Sequence, residues 1–176
     1  LLGDQELLHL LETRREEVLQ RDPGLLEEII SRAVGVKVAV VQEDFREGGR
    51  RAILNLGHTY GHALESVSGF GVYSHGEAVA WGIGRALELG RLLGITDDAY
   101  RKRVESLLRA YGYPLDPVAV SSEELIEAMG QDKKRKEGEL RFVVQRGLCS
   151  TELLPVERGL VEKSLAAPVE TRYDQG

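Results

Sequence analysis

Arg51, Asn55, His58 and His62 recur at i, i+4, i+7 and i+11, and the tetrapeptide Ser74-His75-Gly76-Glu77 follows shortly after. At about 100° per residue these four side chains share one narrow helical stripe. Ile53, Leu56, Tyr60, Ala63, Leu64 and Val67 fall on the opposite side. One face is fit for packing, while the other aligns a cation, an amide and two imidazoles. Those types bind metals and anions; a solvated face would carry Glu, Lys and Gln. Gly57 and Gly61 stand beside them, where a ligand can approach the backbone.

His58, His62 and His75 lie within eighteen positions, which suggests a divalent transition metal, most often zinc. By residue type alone the three form the first candidate triad, although His-x-x-x-His on a helix also serves two imidazoles with different partners. Thr59 follows His58, so the glutamate of the helical metalloprotease motif is missing and a protease is disfavoured. The plainer alternative is three histidines hydrogen-bonded within a core. Arg51, Asn55 and Lys37, converging on the same region, speak against it. Lys37 falls on a stripe with Leu26, Ile30, Ala33, Val40 and Val41, where a lysine is costly unless it meets an anion or reaches out to water. Those two readings stand level. His9 has no second ligand one turn away and is read as a packing or surface residue. The basic run Lys133-Lys134-Arg135-Lys136 is read first as a solvated loop and second as an anion site.

The 176 residues suit one domain with a real core, or part of a larger protein; the opening on Leu1 in mid-pattern favours the part. With 42% apolar and 30% charged residues, disorder is not expected. A net charge of −6 argues against a general nucleic-acid or anionic-membrane surface. No apolar run is long enough to span a bilayer and no signal-peptide pattern is present. Cys149 is the single cysteine, so there is no disulfide framework, and a cytoplasmic location fits.

The elements that must carry these groups are mostly helical. Asp4 caps a first helix with a stripe of Leu7, Leu8, Leu11 and Val18, and Asp22-Pro23 starts a second. In the second, Gly35 and the alternating Val36, Val38 and Val40 admit a strand, but the stripe from Leu26 to Val40 favours a helix. Gly48-Gly49 ends it and the histidine-bearing helix follows. Ser74 and Glu77 form a capping box that puts His75 in a first helical turn, where the helix dipole favours a neutral, metal-ready imidazole. From His75 to about Leu93 the pattern is apolar nearly all round, so this helix should be buried. Thr96 caps the next, with Tyr100, Val104, Leu107, Leu108 and Tyr111 inward, ending at Gly112 and Pro114. Ser121 and Glu124 box a short helix ending near Met129. Leu140, Phe142 and Val144 alternate as a strand paired in a hairpin with residues 148–154, and a last helix spans about 156–166 before a frayed tail, 167–176.

Long stretches resemble the signature of the 3-dehydroquinate synthase family: Lys37 to Asp44, Gly49 to Arg51, Leu54-Asn-Leu-Gly-His-Thr-Tyr-Gly-His-Ala-Leu-Glu65, Ser74-His-Gly-Glu-Ala-Val-Ala80, and Asp132-Lys-Lys with Gly138 and Leu140-Arg-Phe-Val143. The match runs from the first helix to about Leu165. The resemblance implies a mainly α, helical-bundle C-terminal domain (residues 1–166) that binds metal and substrate. An N-terminal α/β domain holding NAD would lie outside this chain. It implies that His58 and His75 are metal ligands, for zinc or cobalt. A third ligand, a glutamate followed three residues later by a lysine, would lie upstream of residue 1. By the same matching His62 is no ligand: with Asn55 and one of Lys133 and Lys134 it would hold the substrate phosphate. Lys37 and Arg51 would hold the substrate carboxylate. Phe45 replaces a glutamate common in the family, in a loop without a catalytic role.

Such an enzyme converts the seven-carbon phosphorylated keto acid DAHP to 3-dehydroquinate with loss of phosphate, on the route to chorismate and the aromatic amino acids. The family is often dimeric. Arginine suits a planar carboxylate, while lysine, asparagine and imidazole suit phosphate, at about 1.5–3 kcal/mol per charge-assisted bond. The rivals are another sugar-phosphate cyclase such as a 2-deoxy-scyllo-inosose synthase, a metal-dependent polyol dehydrogenase, and an inert helical interaction module. A substrate without a carboxylate leaves Lys37 and Arg51 together without a use. Taken alone, this stretch is expected to bind zinc weakly and to show no turnover.

Overall fold

The computed structural model describes residues 1–43, 50–69, 71–133 and 140–167. Eight α-helices and one two-stranded sheet make up the described chain, which is the mainly α architecture expected. Asp4 does cap α1 (Gln5–Thr13), its carboxylate accepting from the Leu7 amide at 2.8 Å. The helix does not run on to Val18. Thr13 donates its hydroxyl back to the His9 carbonyl, a contact that bends helices, and α2 (Arg15–Leu19) begins after a break at Arg14.

Asp22 accepts from the Leu25 amide and starts α3 (Pro23–Glu43), which runs unbroken through Gly35; the strand alternative is not realised. Its apolar stripe is only partly covered: Val40 is buried and Leu26 and Val41 are half-buried, whereas Ile30 is 60% exposed and Ala33 and Lys37 are exposed with it. Lys37 therefore bears no burial cost. The Gly48-Gly49 break, Asp44 and Phe45 lie outside the described residues.

The histidine-bearing segment is not one helix. A 3-10 turn covers Arg50–Asn55, Leu56 and Gly57 turn the chain, and α4 starts afresh at His58 and ends at Ser68. Gly57 has φ +79°, and a Cβ there would come within 2.7 Å of the Val79 oxygen and the Ile83 nitrogen of the next helix. Only glycine meets both demands. The single stripe joining Arg51 and Asn55 to His58 and His62 is thus broken by packing against a helix distant in sequence.

That helix, α5 (His75–Leu92), forms the centre of the fold as expected, with eleven buried residues. It packs on α4, on α6 (Asp98–Ala110), on α8 (Arg158–Ala166) and on strand β1 (Arg141–Gly147). The cap of α6 is Asp97, one residue later than expected, because the Thr96 hydroxyl donates instead to the Gln145 carbonyl of β1 at 2.6 Å. The Ser121–Glu124 box is present, and α7 (Ser122–Lys133) continues past Met129. β1 pairs antiparallel with β2 (Ser150–Pro155), and residues Phe142 to Gln145 are all buried, so β1 is covered on both faces. Residues 168–176, most of the proposed frayed tail, are outside the described part.

Buried Arg85 of α5 ties these layers together. Its guanidinium donates to the carbonyls of Ser164 (3.1 Å), Ala167 (2.8 Å) and Leu115 (2.6 Å), capping the end of α8. Tyr60 of α4 reaches the same place, 2.7 Å from the Ser164 hydroxyl. No helix among the described residues is long and apolar enough to cross a membrane.

Candidate metal centre

Two helix starts meet here. His58 opens α4 and His75 opens α5, the latter behind a complete capping box in which Ser74 and Glu77 bond each other's backbone. His62 lies one turn into α4. The ring centroids are 5.4 Å (His58–His62), 5.5 Å (His58–His75) and 5.8 Å (His62–His75) apart. The three imidazoles singled out by type and spacing are therefore brought together.

Their protonation follows from their partners. The Leu56 carbonyl, 3.2 Å from His58 Nδ1, can only accept, so Nδ1 carries the proton and Nε2 keeps its lone pair. His75 Nδ1 faces the Glu65 carboxylate at 3.3 and 3.4 Å, a partner that can only accept, so Nδ1 carries a proton there too. Burial pushes the His58 pKa down, the Leu56 carbonyl pulls it part of the way back, and neighbouring His62 and His75 push it down again. The positive end of α4 reinforces the neutral form at His58, and neutral imidazole is the form that binds a metal.

Glu65 is the residue that sequence reading passed over. One ligand atom each from His62, Glu65 and His75 lies within 4.8 Å of the others. Around a zinc ion with bonds of about 2.1 Å, tetrahedral ligand atoms stand roughly 3.4 Å apart, so modest closure suffices. Two or three imidazoles with a carboxylate are a donor set that suits zinc or cobalt, and the residues present fit such an ion. A signal for Glu65 did exist. His58, His62 and Glu65 fall at i, i+4 and i+7, one face of α4.

The remaining candidates are placed less closely. Lys37 is exposed on α3, and Arg51 and Asn55 are exposed on the 3-10 turn that leads into His58. The side chain of Lys133, and Lys134 as a whole, lie outside the described residues.

The family model described as 3-dehydroquinate synthase C-terminal matches residues 1–135. The chain belongs to this family. Among curated members, the 3-dehydroquinate synthase of Dehalococcoides mccartyi (strain CBDB1) is 41% identical over 143 residues, 81% of this chain and 40% of that protein. The 3-dehydroquinate synthase of Caulobacter vibrioides is 42% identical over 154 residues, 84% of this chain and 42% of that protein. This family member thus spans about two-fifths of the length of the curated relatives it matches. Among solved structures, ValA, a 2-epi-5-epi-valiolone synthase from Streptomyces hygroscopicus with NAD+ and Zn2+ bound, superposes with TM-score 0.81 over 94% of this chain and 46% of that one, at 23% identity. A 2-deoxy-scyllo-inosose synthase complexed with carbaglucose-6-phosphate, NAD+ and Co2+ gives 0.73 over 84% of this chain and 43% of that one, at 25% identity. The fold is that of the sugar-phosphate cyclases, and the curated 3-dehydroquinate synthases are the nearer of these relatives in sequence.

Proposed function

We propose that this chain is the metal- and substrate-binding part of a 3-dehydroquinate synthase that converts DAHP to 3-dehydroquinate with loss of phosphate. The observation that carries the reading is the convergence of His58, His62 and His75 from two helix starts, in a chain of this family. His58 and His75, each with Nδ1 engaged, would hold the metal through Nε2, and a glutamate upstream of residue 1 would complete the set. The solved cyclases that carry NAD+ with Zn2+ or Co2+ support the same pair of cofactors here. When bound, the metal polarises the hydroxyl to be oxidised and NAD takes up and returns a hydride.

The other side chains bind and orient. His62, Asn55 and one of Lys133 and Lys134 hold the phosphate, while Arg51 and Lys37 hold the carboxylate. Gripping a doubly anionic substrate at both ends fixes the carbon between them against the metal, where misplacement by an ångström costs rate steeply. Residues 1–166 form one side of the site and an N-terminal NAD-binding domain the other, in a cytoplasmic homodimer.

The test is phosphate release by the full-length protein, assayed with DAHP and with a hexose 6-phosphate. Release from DAHP alone, with no net NADH, is expected. Release from the hexose phosphate would make it another cyclase, and accumulating NADH a polyol dehydrogenase. The 176-residue chain alone is expected to bind zinc weakly and turn over nothing; full activity from it would overturn the domain division.

A further inference from the structure

Glu65 has a place in this centre beyond the ligand set just described. It sits on α4 seven residues after His58, on the same face, and its carboxylate reaches across to His75 at the start of α5. Its side chain is 20% exposed, whereas that of His75 is 59% exposed. An imidazole so open to water, on the first residue of a helix, has nothing in its own helix to fix the ring. The first-turn amides point toward the same end, and a neutral ring nitrogen bearing hydrogen finds no acceptor among them. His58 is fixed differently, by the carbonyl of Leu56 two residues before it.

We propose that Glu65 is the positioning residue for His75: its carboxylate accepts the Nδ1 proton, selects the tautomer with a free Nε2, and aims that nitrogen at the metal. This rests on the reading of His75 as a metal ligand. The two imidazoles then have matched roles, each with Nδ1 bound to an oxygen and Nε2 turned inward. A backbone oxygen serves one and a carboxylate the other. At 3.3–3.4 Å the contact is longer than the usual 2.9–3.0 Å. A small rotation of an exposed ring closes that gap, so metal binding and this hydrogen bond tighten together. The arrangement links α4 to α5 across the centre, so His75 is positioned by the helix that carries His58.

The alternative for the same carboxylate is direct ligation beside His62 and His75, and the experiment separates the two. Co2+ affinity is measured by chelator competition on the full-length protein, with the visible spectrum of bound Co2+ as a second readout. The variants are Glu65→Gln, Glu65→Ala, His75→Ala and the double variant Glu65→Ala/His75→Ala. A positioning role predicts that Glu65→Ala weakens Co2+ binding by about 10- to 100-fold. Glu65→Gln, whose amide oxygen still accepts the proton, loses less, and both keep a Co2+ spectrum of wild-type shape. It also predicts that Glu65→Ala costs less than about twofold further once His75 is already alanine, because its effect passes through that ring. An undiminished cost in the double variant, or a changed spectrum with a loss as large as that of His75→Ala, makes Glu65 a ligand and overturns the proposal. Wild-type affinity in Glu65→Ala beside weakened binding in His75→Ala overturns it while leaving the metal reading intact. Wild-type affinity in His75→Ala removes the metal reading itself, and the proposal with it.

Discussion

Gly82 of α5 lies directly against the carbonyl of Gly57, so closely that a Cβ at position 82 would collide with that oxygen. One turn along, a Cβ at Gly61 would stand 3.0 Å from the Ala78 oxygen. The backbones of α4 and α5 thus touch without intervening side chains, and this contact brings His58 and His62 to His75. Gly82→Ala should force the helices apart, at a cost of about 1–3 kcal/mol. Urea unfolding should show the lost stability, and chelator competition should show weaker zinc binding in the same variant. Lost stability with unchanged zinc affinity would mean that the crossing does not set the imidazole spacing.

Gly35 provides the contrast. It lies inside α3 with no positive φ, and nothing stands within 4 Å of where a Cβ would be. Glycine in a helix interior costs up to about 1 kcal/mol relative to alanine. Gly35→Ala should therefore raise the urea midpoint without altering the slope of the transition. A lower midpoint would indicate that this surface of α3 is covered in solution by something an added methyl disturbs.

The imidazole cluster was legible because residue type and spacing carry it: three histidines and a Ser74–Glu77 box need no tertiary information. The break before His58 was not. Gly57 combines a positive φ with a close approach to the backbone at Val79 and Ile83, and both lie more than twenty residues away. The cap of α6 shows the same limit on a smaller scale. Thr96 and Asp97 can both cap, and the carbonyl of Gln145, from a strand nearly fifty residues later, engages Thr96 and leaves the role to Asp97. Periodicity placed Lys37 on an apolar stripe correctly, but periodicity does not say which stripe is covered. Ile30 and Ala33 share that stripe and are exposed. Glu65 stood in plain view at i+7, and only the position of His75 gives it meaning.

Tyr60 and Ser164 form a buried pair whose two halves are unequal. The Ser164 hydroxyl donates to the Val161 carbonyl at 2.7 Å, so the Tyr60 hydroxyl must donate to Ser164 Oγ. Burial raises the Tyr60 pKa strongly, which keeps that proton in place. Ser164→Ala strands a buried phenol and should cost about 1–3 kcal/mol. Tyr60→Phe leaves Ser164 with its own acceptor and should cost less, about 0.5–1.5 kcal/mol. The double variant should be less destabilised than the sum of the two. Urea unfolding of all four proteins measures this. Strict additivity would mean that the hydrogen bond contributes nothing to holding α4 on α8.

Asp4 ties the start of α1 to acid stability. The Leu7 amide, donating at 2.8 Å, is the main reason its pKa falls below the ordinary 3.8, and Arg32 of α3 at 3.4 Å lowers it further. Folding thus favours the deprotonated form, and the unfolded chain binds this proton more readily than the folded one. Stability from Asp4 is complete above its unfolded pKa and is lost as pH falls through the lower folded value. Asp4→Ala removes the cap and should cost about 1 kcal/mol at neutral pH. Asp4→Asn keeps an oxygen for the Leu7 amide but has no charge to lose, so it should be slightly less stable than the natural protein at pH 7. That difference should shrink as the pH is lowered toward about 3, where the natural carboxyl is protonated as well. Unfolding at pH 7, 5 and 3 decides it, since a gap that widened in acid would reverse the sign of the effect and show that Asp4 is not held as a carboxylate by its cap.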